Sequence, residues 1–74
     1  MPRTIIIGCA PTQDMYSVLQ RALQLLRSAG IKVDAAAQNV QADLPATATI
    51  LLRDVKDIAR AVTVLERAGV AVHI

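Results

Sequence analysis

Apolar residues first fall in an unbroken run, Ile5-Ile6-Ile7, then at helical spacing, then in alternation, and the second half of the chain repeats that order. Residues 4–9 read as a strand, β-branched and apolar on both faces, the pattern of a central strand. Loop signals follow in Ala10-Pro11-Thr12-Gln13. From there Met15, Val18, Leu19, Ala22, Leu23, Leu26 and Ala29 form one stripe, with Ser17, Gln20, Arg21, Gln24, Arg27 and Ser28 opposite. That spacing predicts a helix near 14–29, with Asp14 as N-cap and Gly30 as the left-handed residue that ends it.

Ile31, Val33, Ala35 and Ala37 then alternate with Lys32, Asp34, Ala36 and Gln38, the period of a half-exposed strand. Residues 39–46 carry Asp43 and Pro45 and read as a loop or hairpin connection. A third strand over 48–53 centres on Ile50, Leu51 and Leu52. Asp54 opens a second helix near 55–68, and Asp57 three residues on echoes a capping box. Its stripe is Ile58, Ala61, Val62, Leu65 and Ala68, Gly69 ends it, and residues 70–74 form the last strand.

The halves match at a constant offset. Leu26-Arg27-Ser28-Ala29-Gly30-Ile31-Lys32-Val33 aligns with Leu65-Glu66-Arg67-Ala68-Gly69-Val70-Ala71-Val72, 39 residues on. Two β-α-β units with right-handed crossovers interleave into a four-stranded antiparallel sheet with both helices on one face. This predicts an α+β, ferredoxin-like split β-α-β sandwich of order β-α-β-β-α-β. The halves differ where strand meets helix. The second passage, Arg53 to Asp54, reads as nearly immediate, whereas the first inserts residues 10–13. Such a loop at a helix head can hold a carboxylate, or can be a tolerated surface insertion.

Composition sharpens this picture. The 74 residues make one domain, and 54% of them are hydrophobic, with Tyr16 the single aromatic. A chain this short buries only about 60% of its unfolded surface, so the apolar surplus calls for a homodimer or higher homo-oligomer. Ala35-Ala36-Ala37, apolar on both faces of an expected edge strand, reads as the segment a partner subunit covers. The eight Lys and Arg residues are scattered, and no strand carries aromatics to stack bases, which argues against nucleic acid. No apolar run approaches the roughly 20 residues of a membrane span or the roughly 7–15 of a signal peptide. With Cys9 as the only cysteine, a reducing, cytoplasmic setting is expected.

The segment from Ala29 to Val40, Ala-Gly-Ile-Lys-Val-Asp-Ala-Ala-Ala-Gln-Asn-Val, resembles the regulatory ACT domains of aspartate kinases. That family shows Ala-Gly-Ile-x-Val-Asp, three apolar residues and Gln-Asn-Val at this spacing. Asp57, Ile58, Ala61, Val64 and Leu65 resemble its second helix, so the likeness runs from about Asp14 to Leu65. The resemblance implies a single ACT-like domain over residues 1–74, free-standing or excised from a larger protein. It also implies an amino-acid effector of the threonine or lysine class, bound near a dimer interface. By the same resemblance, Asp34, Gln38 and Asn39 belong to the effector site with the loop around Asp14. The family's Asp-Arg/Lys-Pro-Gly-Val signature falls on Asp14 to Val18, but here Tyr16 replaces the proline and Ser17 the glycine. The glycine admits close backbone approach, which Ser17 would obstruct.

Chemistry of other kinds finds little support. Cys9 and His73 are single residues far apart in sequence and cannot close a zinc site, and a lone cysteine on a strand reads as a small hydrophobe. Asp54 and Asp57 sit at a helix start, where carboxylates favour the dipole. The expectation is therefore a ligand-binding regulatory module acting as a dimer, with no catalytic residue, metal or cofactor. The alternative is a structural or oligomerisation domain that kept the fold and lost the ligand.

Overall fold

The computed structural model describes residues 3–10, 12–41 and 44–73, and its elements follow the expected order. They are β1 (Thr4–Gly8), α1 (Met15–Ser28), β2 (Val33–Gln41), β3 (Leu44–Leu52), a 3-10 turn (Val55–Asp57), α2 (Ile58–Arg67) and β4 (Ala71–His73). The four strands form one antiparallel sheet in the order β2-β3-β1-β4. This is the ferredoxin-like α+β arrangement.

Register explains which side chains enter the core. Ile5 and Ile7 on β1 face Ile50 and Ala48 on β3, and all four are fully buried under the helices. Their neighbours alternate to the other face. There Ile6, opposite Thr49, is 39% exposed. The apolar run at 5–7 therefore belongs to a central strand covered on one face only. Met15, Leu19, Ala22 and Leu26 of α1, with Ala61 and Leu65 of α2, complete the core.

Both helices end identically, 39 residues apart. Ile31 N–H donates to the Leu26 carbonyl (2.9 Å) and Gly30 N–H to that of Arg27 (3.0 Å). Val70 N–H donates to Leu65 (3.0 Å) and Gly69 N–H to Glu66 (3.0 Å). These paired bonds are the Schellman motif, and its hydrophobic contacts, Leu26 with Ile31 and Leu65 with Val70, lie in the core. The motif needs a left-handed residue, which Gly30 (φ 77°) and Gly69 (φ 83°) supply.

Three expectations need correction. Residues 39–41 and 44–46 are not a loop: β2 runs on to Gln41 and β3 starts at Leu44, while 42 and 43 lie outside the described residues. Pro45 is tolerated because it lies in a bulge: between the Asn39–Thr47 and Gln41–Leu44 pairs, residues 45 and 46 of β3 oppose the single residue 40 of β2, so the ladder is already interrupted where its N–H is missing. The second strand-to-helix passage is not immediate either. Residues 53–57 include the 3-10 turn, where α1 has a full α-turn at the corresponding 14–18. The last strand is also shorter at its start than expected, beginning at Ala71 rather than Val70, because Val70 is spent closing the helix cap.

Gly30→Ala and Gly69→Ala should each destabilise the fold by about 1–2 kcal/mol, the cost of left-handed backbone for an L-residue. A Cβ at either position meets nothing within 4 Å, so backbone strain is the whole effect. Thermal unfolding should show Tm lowered by about 4–8 °C per kcal/mol. Gly8→Ala, with no positive φ and open space around it, is the control and should change little.

Candidate functional site

The hairpin of β2 and β3 outruns β1. Past the Gly8–Thr47 pair, β3 has no β1 partner, and the overhanging hairpin stands over the loop that follows β1. A cleft of about 860 Å³ opens there, within the range of small-molecule sites. Cys9, Ala10 and Gln13 line it from the loop, Val18 and Arg21 from α1, and Asn39, Pro45, Ala46 and Thr47 from the hairpin. Gly69, Val70, Ala71 and His73 close it beside β4.

Local bonds shape the loop. Gln13 N–H donates to the Ala10 carbonyl (2.9 Å), and Ala10 N–H donates back to Gln13 Oε1 (2.9 Å). The Cys9 thiol, half-buried, reaches the Gln13 carbonyl at 3.8 Å. Among the lining residues Arg21 alone carries a permanent charge, and it is in no salt bridge among the described residues. The cleft thus offers a guanidinium, two side-chain amides and a hydroxyl over a floor of Val18, Ala46 and Val70. That donor set suits a small molecule with a carboxylate.

The residues singled out from sequence are placed separately. Asp14 caps α1: its Oδ2 accepts from the Ser17 N–H (3.2 Å) and from the Ser17 hydroxyl (2.9 Å). A carboxylate of the chain itself therefore occupies the head of this helix, and neither residue lines the cleft. Asp34 stands at the start of β2, where Arg53 Nε donates to its Oδ1 (3.0 Å) and Arg3 Nη1 lies 3.8 Å from its Oδ2. Five strand residues, roughly 16 Å, separate it from Asn39. Gln38 and Asn39 point to opposite faces of β2, Gln38 opposite buried Ala48 and Asn39 opposite Thr47. Asn39 alone of the five enters the cleft lining, and its Nδ2 donates to Thr49 Oγ1 (2.9 Å).

Arg21, Thr47 and Ala46 were not legible as site residues, whereas Gln13 belongs to the loop the sequence had singled out. Arg21 sits on the polar stripe of α1 like any solvated cation, and Ala46 and Thr47 join the site only through the hairpin overhang. Cys9 and His73 both border the cleft, but they do not form a catalytic pair. His73 is opposite Ile6 on the sheet face turned away from the helices, whereas Cys9, just past β1, packs against the buried core. Among the described residues no group of three or more His, Cys, Asp or Glu could hold a metal, and no helix is long and apolar enough to cross a membrane.

No protein-family model matches the chain, and no curated protein matches it. Among solved structures it is similar to the ligand-free crystal structure of the regulatory subunit of aspartate kinase from Thermus thermophilus. The TM-score is 0.69 at 18% identity, over 95% of this chain and 48% of that one. The likeness is one of fold. It falls on the same family that the Ala29–Val40 segment resembles, and the chain spans about half the length of that subunit.

Asp14→Ala should destabilise the protein by about 0.5–2 kcal/mol, because the orphan amide at Ser17 loses its acceptor. Urea unfolding checks it, with Asp14→Asn expected to keep most of the stability. Equal loss in both variants would show that charge, rather than capping geometry, is what Asp14 supplies.

Proposed function

We propose that the chain is an amino-acid-binding regulatory module of ACT type, a single cytoplasmic domain that acts as a dimer and has no catalytic activity of its own. The observation that carries this reading is the cleft under the hairpin. It joins the loop after β1 to Asn39, the residue of the Gln-Asn-Val element that reaches it, and adds an unpaired Arg21. An amino acid's carboxylate would take Arg21 and the Gln13 amide, while Asn39 Oδ1, on the same sheet face as Thr47, would accept from its ammonium. The ammonium would also take the Thr47 hydroxyl or a free hairpin carbonyl. The effector class, threonine or lysine, follows from the family resemblance.

The dimer follows from the outer edge of β2. From Ala35 to Gln41 it carries no charge and no proline, and the side chains of residues 35–39 are all exposed. An uncharged edge strand in regular register over residues 35–39 is a template for pairing. A second copy's β2 laid antiparallel across a two-fold axis would cover it and continue the sheet.

The rival reading, a structural domain that has lost its ligand, also has an observation in its favour. The Asp14–Ser17 pair fills the head of α1, where the family's glycine leaves room. Calorimetry against the twenty amino acids separates the two. Binding to the parent should weaken roughly 10- to 150-fold in Asn39→Ala and in Arg21→Gln, the worth of a hydrogen bond to a charged group. Ser17→Gly should bind at least as tightly as the parent. No heat from the parent or the Ser17→Gly variant at millimolar concentrations would select the structural reading. Light scattering should give twice the chain mass at micromolar concentration, and a stable monomer would remove the dimer.

A further inference from the structure

The basic residues, scattered in sequence, are sorted by the fold. At the end of the sheet away from the cleft, Lys32, Arg53, Lys56 and Arg60 line a hollow of about 310 Å³ together with Gly30, Asp54 and Asp57. No apolar side chain contributes to this lining, in contrast to the cleft. Adding Arg3 and Asp34 beside it, five cations face three carboxylates. Arg27 lines an adjoining hollow together with Gly30, Lys32, Asp34 and Arg53, which adds a sixth cation to this end of the molecule.

Two of the cations are held in place. Asp34 fixes Arg53 through Nε (3.0 Å), leaving its two terminal nitrogens without a partner among the described residues. Asp57, with a side chain only 18% exposed, holds Arg60 Nη2 at 3.7 Å. Arg53 N–H donates to the Lys32 carbonyl (3.1 Å), which ties the two sides of the hollow together. Lys32 and Lys56 are in no salt bridge among the described residues. Two guanidiniums and two uncommitted ammoniums in one hollow favour a compact anion of multiple charge.

We propose that this hollow binds a pyrophosphate group, free or as the phosphate tail of a nucleotide. One carboxylate is satisfied by a single guanidinium, whereas four cations less the carboxylates of Asp54 and Asp57 leave an excess of two in the lining, which matches an anion of more than one charge. The hollow is compact and polar throughout, the wrong shape for an acidic peptide, which needs a groove. It shares no lining residue with the cleft, so it is independent of the amino-acid reading.

Amide NMR of the full chain at low ionic strength, titrated with inorganic pyrophosphate and separately with ATP, tests this. Saturable shifts are expected at Gly30, Lys32 and residues 53–60, with affinity lowered at least about tenfold in the double variant Lys32→Gln/Lys56→Gln. Neither lysine packs in the core, so that variant should fold. Equal affinity for the two probes assigns recognition to the pyrophosphate, and tighter ATP binding adds a nucleoside contribution. Shifts that do not saturate, that persist unchanged in the double variant, or that centre on Asn39 and Thr47 would overturn the proposal.

Discussion

Everything else in this molecule hangs on the pairing of β1 with β3. It joins residues 39 to 47 positions apart, and it aligns Ile5 with Ile50 and Ile7 with Ala48 so that one sheet face is wholly apolar. Only then do the stripes of α1 and α2 have a surface to bury against. Burying a large aliphatic side chain contributes about 1.5–3 kcal/mol, and Ile5, Ile7, Ile50, Leu52, Leu26 and Leu65 are all fully buried. In a chain of 74 residues that small set carries much of the stability.

The same pairing places both functional ends. Because β1 is short and the β2–β3 hairpin is long, one end of the sheet overhangs and forms the cleft. At the other end the pairing brings Arg3 and Arg53 to one carboxylate, Asp34, and gathers the cations around it. The two ends differ in chemistry as well as position. One is an apolar-floored cleft with a single guanidinium, the other a polar hollow with a positive excess. The edge of β2 runs between them uncharged, so covering it with a second copy would leave the cationic hollow open.

Most of the fold could be read from the chain because its signals are local and doubled. The stripe of α1, its Asp14 cap and its terminal glycine are each a short-range pattern, and the repeat confirms the glycine at 69. The hairpin could not be read. Asp43 and Pro45 are turn residues on any local rule, and only the bulge between β2 and β3 makes a proline harmless within β3. The site suffered the same way. Asp34 and Asn39 look like neighbours in a motif, yet an extended strand drives them to opposite ends of the sheet. Alternation sends Gln38 and Asn39 to opposite faces. Arg21 carries no sequence mark that separates it from the other helix cations.

The claim at the centre of this account is that the hairpin overhang, rather than the helix head, holds an amino acid. Mapping amide shifts in the full chain while titrating threonine and lysine tests it most directly. The account predicts saturable shifts at Gly8, Cys9, Ala10, Asn39 and Thr47, with Gly30 and residues 53–60 unmoved. Saturable shifts confined to Tyr16, Ser17 and the start of β2, or none with either amino acid at millimolar concentration, would contradict it.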